Sequence, residues 1–244
     1  MGGRLPKRVI LTRSVEDIER DRKLFEKYRF EVVELPLIRT EPLDFQVPKD
    51  SYEYVVFQSA KAVKHFLKSS DIPKGVKVIA VGNRTREELE RLGYKVWLVP
   101  KDMSAEGVVN EFPLGRGETV LIPRSEQGRD EAVEGLSSKG YRVVTINVYR
   151  TSKVSYSEEE VVSILKGGGF IVFASPSAVR SFFANLRKGT AKAVLNDLVV
   201  VSIGKTTKKE LEKFGVTPAI VPPKPLMEEV TGKIHEFWQE NCIS

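Results

Sequence analysis

Short runs of β-branched and other apolar residues alternate along this chain with stretches whose apolar positions recur every three or four residues. The first pattern marks strands buried on both faces and the second marks amphipathic helices; their alternation predicts parallel sheets covered by helices. Strands are predicted at Val9–Thr12, Glu31–Leu35, Tyr54–Phe57, Lys77–Val81 and Lys95–Val99, then at Thr119–Ile122, Arg142–Tyr149, Phe170–Phe173, Leu198–Ile203 and Ala219–Val221. Helices are predicted near Val15–Lys27, Ala60–Leu67, Thr85–Leu92, Ser104–Glu111, Glu131–Ser138, Ser157–Leu165, Ser177–Leu186, Thr207–Phe214 and Leu226–Glu240. The rhythm breaks at Pro36–Asp50, rich in Pro and acids, and at Arg150–Tyr156, rich in Thr and Ser; both read as linkers.

The pattern repeats. Val9-Ile-Leu-Thr-Arg-Ser14 recurs as Val120-Leu-Ile-Pro-Arg-Ser125, and Phe30-Glu-Val-Val33 as Tyr141-Arg-Val-Val144, both at an offset of 111. Phe57–Phe66 matches Phe173–Phe182 at 116, and Val81–Glu90 matches Ile203–Glu212 at 122. Three collinear blocks whose offset drifts by short insertions identify a duplication of one α/β unit, and so predict two doubly wound sheets.

Composition agrees with two cores. At 244 residues, with 41% hydrophobic and 30% charged, the chain is long for one domain and ordinary for a globular protein. Its single cysteine, Cys242, excludes an internal disulfide framework and a cysteine metal site, and fits a reducing compartment, so a cytoplasmic location is expected. The basic segment Met1–Lys7 is followed only by Val9–Leu11, too short for a signal peptide, and no run approaches the roughly 18 apolar residues of a membrane span. The net charge of +6 raises the question of an anionic partner. Lys and Arg are interspersed with acids, as in Arg20–Lys23, Arg84–Arg91 and Lys208–Lys213, which argues against nucleic acid, since mixed helix faces of this kind are usually just solvated.

In open parallel sheets ligands sit beyond the carboxyl ends of the strands, so the strand-to-helix turns are the candidate sites. Gln58-Ser59 and Ala174-Ser175 place hydroxyls and free N–H groups at helix starts, as do Gly82–Thr85 and Gly204–Thr207, where Gly permits close approach of a carboxylate or phosphate. Each Ser or Thr there is alternatively a plain helix cap. Arg13 and Arg124 end equivalent first strands, where they either meet an anionic ligand or anchor the loop through an internal ion pair. Gly204-Lys-Thr206 does not make a nucleotide phosphate loop, because the required second Gly is Val199, and no dinucleotide fingerprint follows any strand. His65 and His235 are the only histidines, leaving no metal cluster and no hydrolytic triad; His65 reads as a residue of a helix surface. Tyr149 ends a long strand, where its phenol either donates a proton to a ligand or simply packs with its hydroxyl in water.

The chain resembles the uroporphyrinogen-III synthase family over nearly its whole length. The resemblance is carried by Leu11-Thr-Arg13, Pro36, Val56–Val63, Val81-Gly-Asn-Arg-Thr85, Ser104-Ala-Glu106, Val148-Tyr-Arg-Thr151, Phe173–Val179 and Ile203-Gly-Lys-Thr-Thr207, in order and spacing. Gln58 stands where that family commonly has Thr, and Arg29 where Gly is usual. The resemblance implies an α/β fold of two lobes joined by a two-strand connection, lobe one from residues 1–38 plus 150–244 and lobe two from 39–149, with the active site in a cleft between them. It implies a cofactor-independent, metal-free, monomeric enzyme that cyclises hydroxymethylbilane, a linear polycarboxylate tetrapyrrole, with inversion of the last ring. Tyr149 would donate the proton. Thr12, Arg13, Ser59, Lys61, Gly82, Thr85, Arg124, Ser175, Ser177, Gly204, Thr206 and Thr207 would hold the substrate. A non-catalytic sensor of a small polyanion is the competing class that duplication and basic turns alone leave open.

Overall fold

A computed structural model describes residues 5–48 and 51–242; Met1–Arg4, at the head of the basic segment, and Lys49–Asp50, at the end of the first linker, lie outside it. The chain runs β1 (Arg8–Leu11), α1 (Val15–Glu26), β2 (Glu31–Glu34), β3 (Ile38–Pro42), β4 (Tyr54–Phe57), α2 (Ala60–Leu67), β5 (Lys77–Ala80) and α3 (Asn83–Arg91). It continues through β6 (Val96–Leu98), α4 (Ala105–Glu111), β7 (Thr119–Ser125), α5 (Glu131–Ser138), β8 (Arg142–Lys153) and α6 (Glu158–Leu165). It ends with β9 (Gly169–Phe173), α7 (Pro176–Ala184), α8 (Lys188–Asn196), β10 (Leu198–Ser202), α9 (Lys205–Lys213) and α10 (Met227–Cys242). Two compact units result: the chain up to Arg39 with Ser152 onward, and Thr40–Thr151.

The first unit holds a parallel sheet in the order β10-β9-β1-β2, and the second a sheet in the order β3-β8-β7-β4-β5-β6, parallel from β8 to β6. Each sheet combines the first two strands of one repeat with the later strands of the other. In both, numbering by position in the repeat gives the order 2-1-3-4, that of a flavodoxin-like doubly wound sheet. The duplication extends to register: Arg8 pairs with Glu31 and Thr119 with Arg142, each partner displaced by the same 111 residues. Among the described residues no helix is long and apolar enough to cross a membrane.

Alternation along the strands divides each unit into two apolar layers. In the first, Ile10, Ile171 and Phe173 meet α6, α7, α8 and α9, while Val9, Leu11, Phe170 and Val172 meet α1 and α10. In the second, Val55 and Phe57 meet α2 and α3, while Tyr54, Val56 and Ile122 meet α4 and α5. Serine caps start the helices: the Ser59, Ser104, Ser157 and Ser175 hydroxyls accept from N–H groups of the first turn, and Pro176 opens α7 with its ring-fixed φ.

The structure corrects four sequence expectations. The Thr- and Ser-rich linker that begins at Arg150 opens as the last residues of β8, which runs on to Lys153 in extended backbone with Thr151 and Ser152 half-buried and Arg150 and Lys153 exposed. The linker Pro36–Asp50 contains β3. The predicted strand Ala219–Val221 is a single bridge between Ile220 and Val201. Helix α8, not anticipated, packs Ala191 and Leu195 into the core of the first unit. One departure from the family pattern has a visible form: Arg29 takes φ 59, where the matching residue of the other repeat is Gly140 at φ 92.

Helix α8 is tied down by one carboxylate. Glu158 accepts from the Arg187 guanidinium at 2.6 and 3.0 Å, from the Arg187 backbone N–H at 2.7 Å and from the Thr190 hydroxyl at 3.1 Å. These bonds, those of the Arg187 side chain first, hold its carboxyl at about 2 instead of the usual 4.5. A depressed folded-state value stabilises the fold above the unfolded value and loses that contribution as pH falls through the folded one. We therefore expect the urea midpoint difference between wild type and Glu158→Gln to be present at pH 6 and to shrink between about pH 4.5 and 2. A difference independent of pH would contradict this linkage.

Candidate active site

In a 2-1-3-4 sheet the crevice lies where strand order reverses, beyond the carboxyl ends of strands one and three of the repeat. In the second unit these are β7, ending in Pro123-Arg124-Ser125, and β4, which runs into Gln58-Ser59. Ser59 is the N-cap of α2, its Oγ accepting from the Ala62 N–H at 3.1 Å.

Tyr149 comes to the same place from β8. A register shift between Arg124 and Ser125 sets Tyr149 opposite Ser125, and the Glu126 N–H donates to the Tyr149 carbonyl at 2.8 Å. The ring is almost fully buried at 8% exposure, and its hydroxyl lies 3.5 Å from Ser59 Oγ, at the outer limit of hydrogen bonding. His65, which the sequence placed on a helix surface, is half-buried, and its ring stacks on Tyr149 with centroids 5.1 Å apart and planes 20° from parallel. The correction has a geometric cause: α2 packs Ala62, Val63 and Phe66 inward, so His65 flanks that face and lies over the end of β8. Phenol, imidazole and capping hydroxyl thus gather within one unit.

The first unit shows the same junction without those groups. The repeat offsets align Ser59 with Ser175, His65 with Ser181 and Tyr149 with Ile38. Ser175 caps α7 as Ser59 caps α2, accepting from Ala178 N–H at 3.2 Å. Ser181 is buried and donates to the Leu37 carbonyl at 2.6 Å, while Ile38 packs against the apolar layer. Reading His65 against Ser181 in the repeat was the signal that would have singled it out from sequence.

The other sequence-predicted site residues divide by where their side chains go. Thr12 is fully buried and its hydroxyl donates to the Val172 carbonyl at 2.7 Å, so it joins β1 to β9 and is not presented to a ligand. Thr85 and Thr207 are each 3% exposed in the first turns of α3 and α9, and Thr85 Oγ1 turns back to the Val81 carbonyl. Arg13 pairs with the buried Asp21 at 2.7 Å and with Asp17 at 3.5 Å, and Arg124 pairs with Asp130 at 2.6 Å. Both arginines therefore take the internal-anchor alternative, holding the loops that follow β1 and β7. Presented toward solvent are Thr206, near the start of α9, and the half-buried Lys61 and Ser177; the Ser177 hydroxyl accepts from Arg180 at 3.3 Å. Gly82 caps α3 at φ 100, which disfavours a side chain there. Gly204 caps α9 in extended backbone, where a Cβ would stand 3.2 Å from Pro225.

The class this geometry defines is a doubly wound α/β protein whose chemistry-bearing side chains collect at one switch point. A family model described as HEM4, uroporphyrinogen-III synthase HemD, matches residues 19–232. The uroporphyrinogen-III synthase of Chlorobaculum parvum is 26% identical over 231 residues, covering 88% of this chain and 93% of that protein. The chloroplastic uroporphyrinogen-III synthase of Oryza sativa is 27% identical, covering 82% and 70%. Crystal structures of the Helicobacter pylori enzyme (TM-score 0.69, 16% identity, 94% of this chain and 99% of that one) and of a mutant Thermus thermophilus enzyme (TM-score 0.58, 16% identity, 96% and 98%) share the fold. This chain belongs to the uroporphyrinogen-III synthase family, and is a cyclising lyase of tetrapyrrole biosynthesis.

Proposed function

We propose that Tyr149 donates the proton that releases the hydroxyl of hydroxymethylbilane, while strand-to-helix turns hold the substrate's carboxylates. The observation that carries the first part is the convergence of phenol, imidazole and capping serine at the β4/β7 switch point, a convergence absent from the duplicated junction. As the C–O bond breaks, the phenol supplies the proton, water leaves and a cationic azafulvene remains. That electrophile closes on the already substituted position of the last ring to give a spiro intermediate, and fragmentation and reclosure invert the ring. Loss of the ring proton restores aromaticity and returns a proton to the phenolate, so the net change is the loss of one water. The pyrroles supply the nucleophile; the protein holds a flexible chain in the productive geometry and denies direct closure.

Carboxylate binding falls to turns whose first-turn N–H groups have no intrahelical partner. Ser59 and Lys61 at α2, Gly82 at α3, Ser175 and Ser177 at α7, and Gly204 and Thr206 at α9 form this set. Thr12, Arg13, Thr85, Arg124 and Thr207 support the turns from inside. The two compact units would be the enzyme's domains, near the boundaries 1–38 with 150–244 and 39–149. We read the enzyme as a cytoplasmic monomer that binds no nucleic acid, a reading supported by its single cysteine and interspersed charges.

Thr206→Asp tests the carboxylate assignment. An acid near the start of α9 suits the helix, so the variant folds, while it repels a substrate carboxylate bound there. At an effective dielectric between water and protein surface that repulsion amounts to about 1–4 kcal/mol at contact, so KM is expected to rise about 5-fold or more, with kcat within about 2-fold. An unchanged KM would remove the α9 turn from the binding site.

A further inference from the structure

We propose that His65 is a positioning residue for the reaction, acting through Tyr149. The proposal rests on the reading of Tyr149 as proton donor and adds to it what fixes the donor's direction. Among the described residues the Tyr149 hydroxyl has one long contact, 3.5 Å, with Ser59 Oγ, and that oxygen already accepts from the Ala62 N–H at 3.1 Å. Such a contact does not set the ring plane. The imidazole of His65, nearly parallel to the phenol at 5.1 Å, does, because rotation of the phenol about its ring axis would drive its edge into the imidazole face.

The duplication supplies an independent argument. His65 and Tyr149 belong to different elements and different repeats, yet their counterparts in the other unit, Ser181 and Ile38, depart from them together. There the helix position serves the backbone, with the Ser181 hydroxyl on the Leu37 carbonyl, and the strand position is apolar. The same junction thus carries a structural contact in one unit and a ring pair in the other. The two positions differ together, as positions in contact do, which ties His65 to Tyr149 and leaves its part in the reaction to the kinetics.

The expected cost follows from geometry: displacement of a reacting group by about 1 Å loses up to ~10²-fold in rate. With hydroxymethylbilane as substrate, His65→Ala is expected to lower kcat roughly 10-fold with KM within about 2-fold. His65→Phe, which keeps a flat ring over the phenol, is expected to restore most of the loss. In the Tyr149→Phe background, His65→Ala is expected to add nothing further. Trp97 fluorescence on thermal unfolding, read in a Trp238→Phe background, shows that each variant is folded. If Tyr149→Phe lowers kcat and His65→Ala does not, the positioning role is overturned and the proton donor stands. Losses that multiply in the double variant, or a phenylalanine as poor as alanine, also overturn it. A Tyr149→Phe enzyme of wild-type kcat overturns the donor reading itself, and with it this inference.

Discussion

Replacing Tyr149 by Phe is expected to lower kcat for type III product by about 10²-fold or more while leaving KM within about 2-fold, as for removal of a general acid. The substitution keeps the buried ring and its stack on His65 and deletes only an oxygen whose nearest hydroxyl is 3.5 Å away, so the loss in folding stability should stay below about 1 kcal/mol. That separation makes the variant informative, since activity and stability are expected to move by very different amounts. Because hydroxymethylbilane also closes without an enzyme to the uninverted isomer, a slower enzyme shows as a rising type I fraction at fixed protein concentration. A kcat within a factor of three of wild type would exclude the phenol as donor.

Phe66→Ala is expected to destabilise the Thr40–Thr151 unit by about 3–5 kcal/mol. The ring is fully buried, with Phe45 of the loop after β3 stacked at 5.7 Å and Phe57 of β4 edge-on at 5.6 Å, so its removal leaves a cavity that these two rings, held on separate segments, do not close. It lies on α2 beside His65 and one turn beyond Lys61, and loosening the helix reaches the site. A loss of that size is a large part of the roughly 5–15 kcal/mol that stabilises an ordinary domain. The two tryptophans fall one in each unit, so a Trp238→Phe background leaves Trp97 as the reporter of this one. A urea midpoint shift corresponding to less than about 1 kcal/mol would show that the layer under α2 repacks.

What the sequence showed and what it hid have separate physical causes. The strands of the two parallel sheets were visible because runs such as Tyr54–Phe57 and Phe170–Phe173 are apolar on both faces, as only a sheet covered on both sides requires. The repeat offset carried more than the propensities did, since it holds down to the pairing register of β1 with β2 and β7 with β8. Polar residues misled where they sit in regular structure. Thr151 and Ser152 read as part of a linker, yet continue β8, and Gly189 and Thr190 at the start of α8 obscured the spacing of Ala191, Val194 and Leu195.

In the candidate site the positions of Tyr149, Ser59 and Ser175 were legible because strand ends and helix caps have local signatures. The directions of side chains were not. Thr12 follows Leu11 out of β1 and turns its hydroxyl into the sheet, and Arg13 closes onto Asp17 and Asp21, whose spacing on α1 offered the only hint. His65 follows Lys64 on the flank of an amphipathic helix, where periodicity alone gives it to the surface; its mismatch with Ser181 in the repeat marks the position, and its packing on a residue more than eighty positions away gives it a role.

The central claim is that this chain closes hydroxymethylbilane with inversion of its last ring. The most direct measurement mixes purified protein with freshly generated hydroxymethylbilane, oxidises the products and separates type I from type III porphyrin by chromatography, beside a protein-free control. A dominant type III isomer is expected, with type I confined to the control. Type I alone, formed at the spontaneous rate by folded protein, would contradict the claim.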